Sequence, residues 1–323
     1  MKILREPLRE TISPPHSTLA TVRAVIVNYN GAELTALCVQ SLLSQDAACE
    51  VEIVVVDNHS PDSDWHLLQQ LMAEYPVKLH RCATNLGYAG GINAGARLPA
   101  ERAPDYILVL NSDITLSRPD AVGCLVKALQ DDPRRVACSP LIRDRDNPAP
   151  PETASQVRRL PGYWMTLVVH SCWLRRTGFG RRLSRDYLYE DLRPFPLETT
   201  LDCETINGAC FLLDQRFLEE IGYLDQRTFL YMEELTLGAS IRARGSTACL
   251  CTSVVADHIQ GASTGLRGHS RPLRRELQQV YSELVYLRFY TDTGWAQQGL
   301  FLLVRAMDLT IKAPARLMWR SRT

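Results

Sequence analysis

Apolar runs alternate along the first half of the chain with stretches whose apolar residues recur at helical spacing. The runs are rich in β-branched residues and continuous rather than alternating, which is typical of strands buried on both faces. Strands that alternate with helices in this way predict an α/β fold, a mainly parallel central sheet flanked by helices. The predicted strands are residues 22–30, 51–58, 77–82, 106–113 and 135–143.

Residues 144–204 interrupt this pattern with a proline-rich loop followed by many arginines. Regular signals return with an apolar strand and a helix that ends at Gly222, a second helix that ends at Gly245, and a strand that leads to His258. Glycine favours these positions because it adopts the left-handed conformation that ends many helices. The tail then predicts two amphipathic helices, over residues 272–290 and 295–319.

The composition excludes some classes of protein. The 323 residues are 46% hydrophobic, enough for a substantial core, and the formal net charge is zero. A uniformly basic nucleic-acid-binding protein is therefore excluded, and we expect no nucleic-acid partner. Ten cysteines are present, and their close pair, Cys249 and Cys251, lacks metal-site spacing. We interpret them as small core residues in a reducing cytoplasm.

Residues 1–20 contain no apolar core of the kind that a signal peptide needs, and we predict a flexible arm there. No window of the sequence reaches the run of about 18 uncharged apolar residues typical of a membrane-spanning helix. The sequence therefore predicts no such helix.

Compact polar residues follow three of the predicted strands. Ligands of parallel sheets bind beyond the carboxyl ends of the strands, so this coincidence indicates a binding site. If the fourth strand continues through Asp113, Asn111 and Asp113 lie on one face. A carboxylate together with phosphate oxygens is the usual ligand set for Mg²⁺ or Mn²⁺, although a strand-end aspartate can also simply cap a turn. The residues are Asn28, Tyr29, Asn30, Asp57, Asn58, Asn111, Ser112 and Asp113.

The segment "NLGYAGGINAG", residues 85–95, is glycine-rich and predicted to be helical. Glycines at a helix start let backbone N–H groups approach a diphosphate, but they also permit close packing of a helix on a sheet. Both interpretations stay open. The segment is not a dinucleotide-binding fingerprint because it lacks the G-x-G-x-x-G pattern and does not follow the first strand.

Two further acidic and basic candidates lie in the second half. Glu233 and Glu234 are adjacent and therefore point about 100° apart on a helix, so one could orient and the other act as a base. Alternatively, they complement the helix dipole as an acidic first turn. His258 follows a strand and is a reasonable ligand for Mn²⁺, although a lone histidine is more often structural.

Together these segments resemble the family 2 glycosyltransferases of the GT-A fold, and most closely the branch of bacterial rhamnosyltransferases. The resemblance covers about residues 22–143 and 205–264. "LVLNSDITL" is similar to the family's D-x-D metal motif in its N-x-D form. The other matching segments are "AVIVNYNGAELTALCVQSLLSQ", "VEIVVVDNHSPD", "NLGYAGGINAGA", "INGACFLLDQRFLEEIGYLDQRTFLYMEELTLGASIRARG" and "ADHIQGAST".

The resemblance implies an inverting transfer of a sugar, with rhamnose expected, from a dTDP- or UDP-sugar to an acceptor hydroxyl. It implies that Asp57 contacts the pyrimidine ring and that Asp113 and His258 bind Mg²⁺ or Mn²⁺. Glu234 would be the base, with Glu233 as the second candidate. The implied donor-binding residues are Asn28, Tyr29, Asn30, Asp57, Asn58, Asn85, Gly87, Tyr88, Asn93, Asn111 and Ser112.

The chain departs from the family's pattern at three positions. Glu234 stands where the family has an aspartate, Thr236 where it has a second aspartate, and Gln226 where it usually has a glutamate. A glutamate is a competent base, but its reach is longer by one methylene. An alternative is therefore a catalytically degenerate protein that binds donor or acts as a scaffold in a polysaccharide assembly complex.

The sequence predicts a glycosyltransferase domain over residues 21–264, with residues 144–204 as an insertion on the acceptor side, and a helical segment over 265–323. The last segment mixes apolar residues with many arginines, typical of a helix on an anionic membrane surface; a helix packed on the domain with a solvated basic face is the alternative. We expect a peripheral protein of the inner face of the cell membrane and a polyprenyl-diphosphate-linked or polysaccharide acceptor.

Two other enzyme classes fit less well. A nucleotidyltransferase usually has a basic, glycine-rich loop after its first strand, and "NYNGAELT" has one glycine and no basic residue. A dehydrogenase needs a nicotinamide fingerprint, which is absent.

Overall fold

The computed structural model describes residues 19–46, 48–147, 149–259 and 273–320, with side chains as far as residue 312. Nearly all of the predicted N-terminal arm and the predicted domain boundary at residue 264 therefore lie outside the described residues. The strands are β1 Ala20–Asn28, β2 Cys49–Asp57, β3 Val77–Arg81, β4 Tyr106–Asn111, β5 Ile114–Leu116, β6 Arg135–Asp144, β7 Thr200–Cys203, β8 Cys210–Asp214 and β9 Thr247–His258. The α-helices are α1 Ala32–Leu43, α2 Asp62–Met72, α3 Gly87–Ala96, α4 Ala121–Gln130, α5 Tyr163–His170, α6 Gly178–Tyr187, α7 Gln215–Glu220, α8 Glu233–Ala243, α9 Leu273–Tyr290 and α10 Trp295–Arg320.

Within the described ranges, the strands form one mixed sheet in the order β3-β2-β1-β4-β8-β6-β9-β5, with β7 paired to β9. Strands β3, β2, β1 and β4 are parallel neighbours, and β6 is parallel to β9. Strand β8 runs antiparallel between β4 and β6. The prediction of a mainly parallel sheet flanked by helices is confirmed.

Helices cover both faces of this sheet. One buried cluster joins the sheet to α1, α2 and α4, and the other joins it to α3, α7 and α8. Burial on both faces explains the continuous apolar runs of β1, β2 and β4. Arg23 is the exception in β1: its guanidinium is buried, where it pairs with Glu52 at 2.6 Å and donates to carbonyl oxygens at the C-terminal end of α3, including that of Ala96 at 3.1 Å.

The predicted fourth strand is shorter than expected. Strand β4 ends at Asn111, whose N–H donates to the carbonyl of Ala209, and Ser112 and Asp113 form a turn into β5. Strand β5 then pairs antiparallel with the end of β9. The expectation that Asn111 and Asp113 share a strand face is therefore wrong, because the chain turns between them toward β9.

The two C-terminal helices pack on the domain. Tyr163 and Leu167 of α5 form a buried cluster with Leu287 of α9 and with Phe301 and Val304 of α10. The interpretation as a helix packed on the domain is thus correct for one face of α10.

A buried group of charges also joins these helices. Arg305 of α10 lies 2.9 Å from Glu283 of α9 and 2.7 Å from Asp308, and Glu283 contacts His170 of α5 at 2.5 Å. Arg305 was among the residues expected on a basic surface, but it is only 4% exposed. It is buried because its two carboxylate partners are buried with it.

Candidate functional site

Three of the predicted polar strand ends meet at one edge of the sheet. The register pairs Asn28 of β1 with Asp57 of β2, and Val27 of β1 with Asn111 of β4. The ends converge because the three strands are parallel neighbours, so their carboxyl ends lie on the same side.

Asp57 and Asn28 form the centre of a buried polar network at this edge. Asn28 donates to Asp57 at 3.0 Å and accepts from the hydroxyl of Thr35 at 2.9 Å. Asp57 also accepts from the backbone N–H of Ser60 and lies 3.3 Å from the guanidinium of Arg81. Neither Asn28 nor Asp57 has exposed surface. Both side chains therefore hold the ends of β1, β2 and β3 together, and the contact between Asp57 and a pyrimidine stays a prediction.

The residues after β1 form the exposed part of the edge. Asn30 has a left-handed backbone, with φ of 56°, and its N–H donates to the hydroxyl of Ser60 at 2.8 Å. Asparagine tolerates this conformation better than most residues. Tyr29 beside it is 47% exposed, so its ring is available to a ligand.

Asn58 and Asn85 organise the loop before α3. Asn58 donates to the carbonyl of Gly87 at 2.9 Å and accepts from the N–H of Leu86, while Asn85 accepts from the N–H of Gly87 at 3.0 Å. Gly87 has φ of +74° and lies so close to Phe229 that an added Cβ would be 2.3 Å from its carbonyl oxygen. These contacts fix the loop's shape.

The first two backbone N–H groups of α3 are already bound within the protein. The N–H of Tyr88 donates to the carbonyl of Phe229 at 3.0 Å, and that of Gly87 is bound by Asn85. Deeper in the helix, a Cβ on Gly91 would lie 2.9 Å from Val27, and one on Gly95 would lie 2.6 Å from Val25. The glycine pattern therefore reflects close packing of α3 on the sheet.

Asn93 was expected to line the diphosphate, and the structure contradicts this. It is 1% exposed, donates to the carbonyl of Leu224 at 2.8 Å and accepts from the N–H of the same residue at 3.0 Å. Both ends of its amide are thus used to fasten α3 to the segment before α8. Its role is structural because a buried amide must satisfy its hydrogen bonds locally.

Asp113 and His258, the predicted metal ligands, are in contact. Nε2 of His258 lies 3.2 Å from Oδ1 of Asp113, because the β5–β9 pairing aligns His258 with Ile114. Adjacent ligands of one octahedral ion lie about 3 Å apart when each bond is about 2.1 Å. A carboxylate oxygen suits Mg²⁺ or Mn²⁺, and an imidazole nitrogen is a reasonable borderline ligand for Mn²⁺. The pair therefore fits a divalent ion whose other ligands are phosphate and water. The described residues contain no group of three or more His, Cys, Asp or Glu that could hold a metal.

Tyr88 connects this pair to the two glutamates. Its hydroxyl donates to the carbonyl of Gly208 at 2.9 Å, and a Cβ on Gly208 would lie 3.7 Å from Oε2 of Glu234. Burial raises the pKa of Tyr88 well above its usual value, and negative charge on Glu233, Cys210, Asp113 and Glu234 raises it further. The carbonyl of Ala209, next to Gly208, accepts from the N–H of Asn111, so the end of β4, Tyr88 and Glu234 lie near one another.

The two glutamates have different surroundings. Glu233 begins α8 directly after Tyr231 and Met232, which both have left-handed backbones with φ of 73° and 74°. Burial, and then the charge of Glu234, raise the pKa of Glu233 to about 8. Glu234 instead lies 2.9 Å from the guanidinium of Arg158. At neutral pH, Glu233 is mostly protonated, which makes it a poor proton acceptor.

The side chain of Thr236, where the family has an aspartate, does not reach the site. Thr236 is 3% exposed, and its hydroxyl donates to the carbonyl of Glu233 within α8. Its side chain is therefore used inside the helix.

Sequence reasoning missed two charged residues of the site. Arg81 ends β3 in register with Asp57. Its position at the end of the third predicted strand could have identified it from the sequence. Arg158 belongs to the arginine-rich segment within residues 144–204, and its contact with Glu234 spans 76 positions of sequence. Such a long-range contact has no local pattern.

The fold and the site together define an α/β domain whose polar residues gather at the carboxyl ends of its parallel strands. The family model "Glycosyl transferase family 2" matches residues 24–191, about half of the chain, and the chain belongs to that family. It is a glycosyltransferase of the GT-A fold that transfers sugar from a nucleotide-sugar donor.

Relatives extend the likeness beyond the family match. The chain is 28% identical over 224 residues to an N-acetylglucosaminyl-diphospho-decaprenol L-rhamnosyltransferase of Mycobacterium tuberculosis, which covers 67% of this chain and 68% of that protein. It is 25% identical over 251 residues to a low-salt glycan biosynthesis hexosyltransferase of Haloferax volcanii, covering 77% and 71%.

A solved structure shares the fold. GalNAc-T7, crystallised with UDP, GalNAc and Mn²⁺, matches with a TM-score of 0.57 at 17% identity over 84% of this chain. The chain spans about half, 48%, of the length of that protein. Within the residues that the structure describes, each helix is too short or too polar to cross a membrane.

Proposed function

We propose that the protein is an inverting glycosyltransferase that moves rhamnose, or a similar hexose, from a dTDP- or UDP-sugar to an acceptor hydroxyl. The acceptor would be lipid-linked or a growing cell-surface polysaccharide. The observation that carries the proposal is the contact of Asp113 with His258, and the short path from the end of β4 through Ala209 and Gly208 to Glu234, beside the converging ends of β1, β2 and β4.

In this proposal, Glu234 is the base. The acceptor hydroxyl attacks the anomeric carbon from the side opposite the diphosphate, a new C–O bond forms, the bond to the diphosphate breaks, and the hydroxyl proton passes to Glu234. General-base help of this kind typically contributes about 10²–10⁴-fold in rate. Glu233, with its pKa raised to about 8, would stay protonated and donate a hydrogen bond.

Asp113 and His258 would hold the divalent ion, Mg²⁺ or Mn²⁺. When bound, such an ion neutralises charge on the departing diphosphate. The donor side would consist of the strand-end residues and the loop before α3, with the exposed ring of Tyr29 contacting the base. These residues are Asn28, Tyr29, Asn30, Asp57, Asn58, Asn85, Asn111 and Ser112.

Two variants test this function in a transfer assay with dTDP- and UDP-sugars. Glu234→Gln preserves shape and should lower kcat at least 100-fold while leaving donor affinity within a few-fold. Asp113→Ala should abolish Mn²⁺-dependent turnover, and normal transfer by this variant without divalent ions would contradict the metal assignment. Full kcat in Glu234→Gln would move the base elsewhere. Wild-type protein that binds donor without transferring or hydrolysing it would favour the degenerate, scaffolding alternative.

The exposed face of α10 supports attachment to a membrane surface. Four apolar side chains follow one another at spacings of three and four residues, which puts them on one side of the helix. They are 41%, 61%, 45% and 53% exposed, and the adjoining face of the helix is the one packed on α5 and α9. The exposed side is apolar rather than basic, as an interfacial helix requires. The four residues, which we call the α10 stripe, are Leu300, Leu303, Met307 and Ile311.

Co-sedimentation with vesicles tests the attachment. Wild-type protein should bind vesicles that contain phosphatidylglycerol, and the double variant Leu303→Asp, Met307→Asp should bind at least ten-fold more weakly, because a charge on the stripe would have to be buried in lipid. Leu37→Asp is the matched control, since Leu37 is 46% exposed on α1. Equal binding of the double variant and the wild type would contradict the proposal.

A further inference from the structure

Arg158 holds the carboxylate that the proposed mechanism uses as its base. Nη1 of Arg158 lies 2.9 Å from Oε1 of Glu234, and the two side chains are 35% and 21% exposed. The backbone of Arg158 is fixed on both sides by Thr205, whose hydroxyl accepts from the N–H of Arg158 and donates to its carbonyl, each at 2.8 Å. Thr205 is fully buried, so the guanidinium extends from a rigid position.

This contact works against the proposed role of Glu234 as the general base. The guanidinium occupies Oε1 of Glu234 with a charge-assisted hydrogen bond, so this oxygen is not free to accept from an acceptor hydroxyl. The base would therefore work better if Arg158 had another anion to bind when the acceptor is in place.

The order of contacts indicates which anion that is. From the turn that holds Asp113, the contacts run from Asn111 to the carbonyl of Ala209 at 2.9 Å and from the neighbouring Gly208 to Glu234. Arg158 follows beyond Glu234, at 2.9 Å from its Oε1. A donor diphosphate bound at Asp113 would thus be separated from Arg158 by Glu234. The anion that reaches Arg158 would come with the acceptor. The M. tuberculosis relative is named for an acceptor that carries a diphosphate.

We infer that Arg158 is the residue that binds the acceptor's diphosphate, and that this exchange of partners releases Glu234 to act as base. The inference rests on the proposed function. Without acceptor, Oε1 of Glu234 stays bound to Arg158 and is not available to a water molecule, so the donor is protected from hydrolysis. With acceptor bound, the hydroxyl proton passes to Glu234 while the anomeric carbon leaves the donor diphosphate.

Binding of geranyl diphosphate in EDTA tests the anion site directly, without metal, donor or turnover. Wild-type protein should bind it, and Arg158→Gln should bind at least ten-fold more weakly, with partial recovery in Arg158→Lys. Arg159→Gln is the matched control, because Arg159 instead pairs with Asp186 at 3.0 Å and lies over the ring of Tyr189 at 4.2 Å. Equal binding by wild type and Arg158→Gln would overturn the inference whether or not the protein transfers sugar.

Kinetics test the release of the base. With N-acetylglucosaminyl diphosphate on a short prenyl chain, Arg158→Gln should raise the acceptor KM at least ten-fold; with octyl N-acetylglucosaminide, which has no phosphate, KM should be unchanged. Donor hydrolysis without acceptor should rise several-fold. A purely structural role predicts the same KM change for both acceptors and slower hydrolysis, and that result would refute the inference. Wild-type protein that is inactive with every dTDP- and UDP-sugar would instead contradict the proposed function. The binding experiment would still test whether Arg158 binds a diphosphate.

Discussion

The pH dependence of folding stability in a Glu233 variant tests the buried environment of the acidic pair. Oε1 of Glu233 is buried and has no hydrogen-bond partner among the described residues. Burial and the neighbouring charge of Glu234 raise the pKa of Glu233 from 4.5 to about 8. Glu233→Gln retains the shape of the protonated side chain and removes its ionisation.

The sign of the effect follows from proton linkage. Between pH 4.5 and about 8 the folded chain keeps the Glu233 proton that the unfolded chain releases, so unfolding becomes easier as pH rises. The wild type loses up to about 1.4 kcal/mol of stability per pH unit in this window, and the glutamine variant does not. From pH 5 to pH 8, the variant should therefore gain about 3–4 kcal/mol relative to the wild type.

Urea unfolding at pH 5, 6, 7 and 8 measures this difference. Glu33→Gln is the matched control, since Glu33 is also in the first turn of a helix but is exposed. Its stability difference from the wild type should vary little with pH. Parallel pH profiles for the wild type and Glu233→Gln would show that Glu233 ionises normally, and the argument that leaves Glu234 as the base would lose its support.

Two further variants test the packing. Gly95→Ala should destabilise the fold by about 1–3 kcal/mol in urea, because its Cβ would lie 2.6 Å from Val25, while donor affinity stays unchanged; Gly299→Ala, with open space around it, should not destabilise. Loss of donor binding in folded Gly95→Ala would restore the diphosphate interpretation. Arg305→Met should cost about 3–5 kcal/mol because it leaves buried carboxylates unpaired, whereas Arg185→Met, at a 70% exposed ion pair, should cost less than about 1 kcal/mol. Equal costs would mean that the buried pair contributes no more than a surface one.

Sequence reasoning predicted the elements of the sheet and the polar residues at its edge. Apolar continuity identifies buried parallel strands, and parallel neighbours must end on the same side, so Asn28, Asp57 and Asn111 converge without knowledge of side-chain contacts. The same reasoning failed where a residue type serves two purposes. Gly91 and Gly95 fit either a phosphate cradle or a packing surface in the sequence, and only the structure shows that they pack against Val27 and Val25.

The sequence by itself determined the α/β fold and the identities of the candidate metal and acidic residues, because local periodicity and motif order encode them. Only the tertiary structure decided which partners these residues have. Asn93 binds Leu224, Arg158 binds Glu234 and Arg305 binds Glu283, contacts that no local pattern records. The tertiary structure also decided which charged side chains are buried. A charged group is buried only where distant parts of the chain supply its hydrogen-bonding and ionic partners.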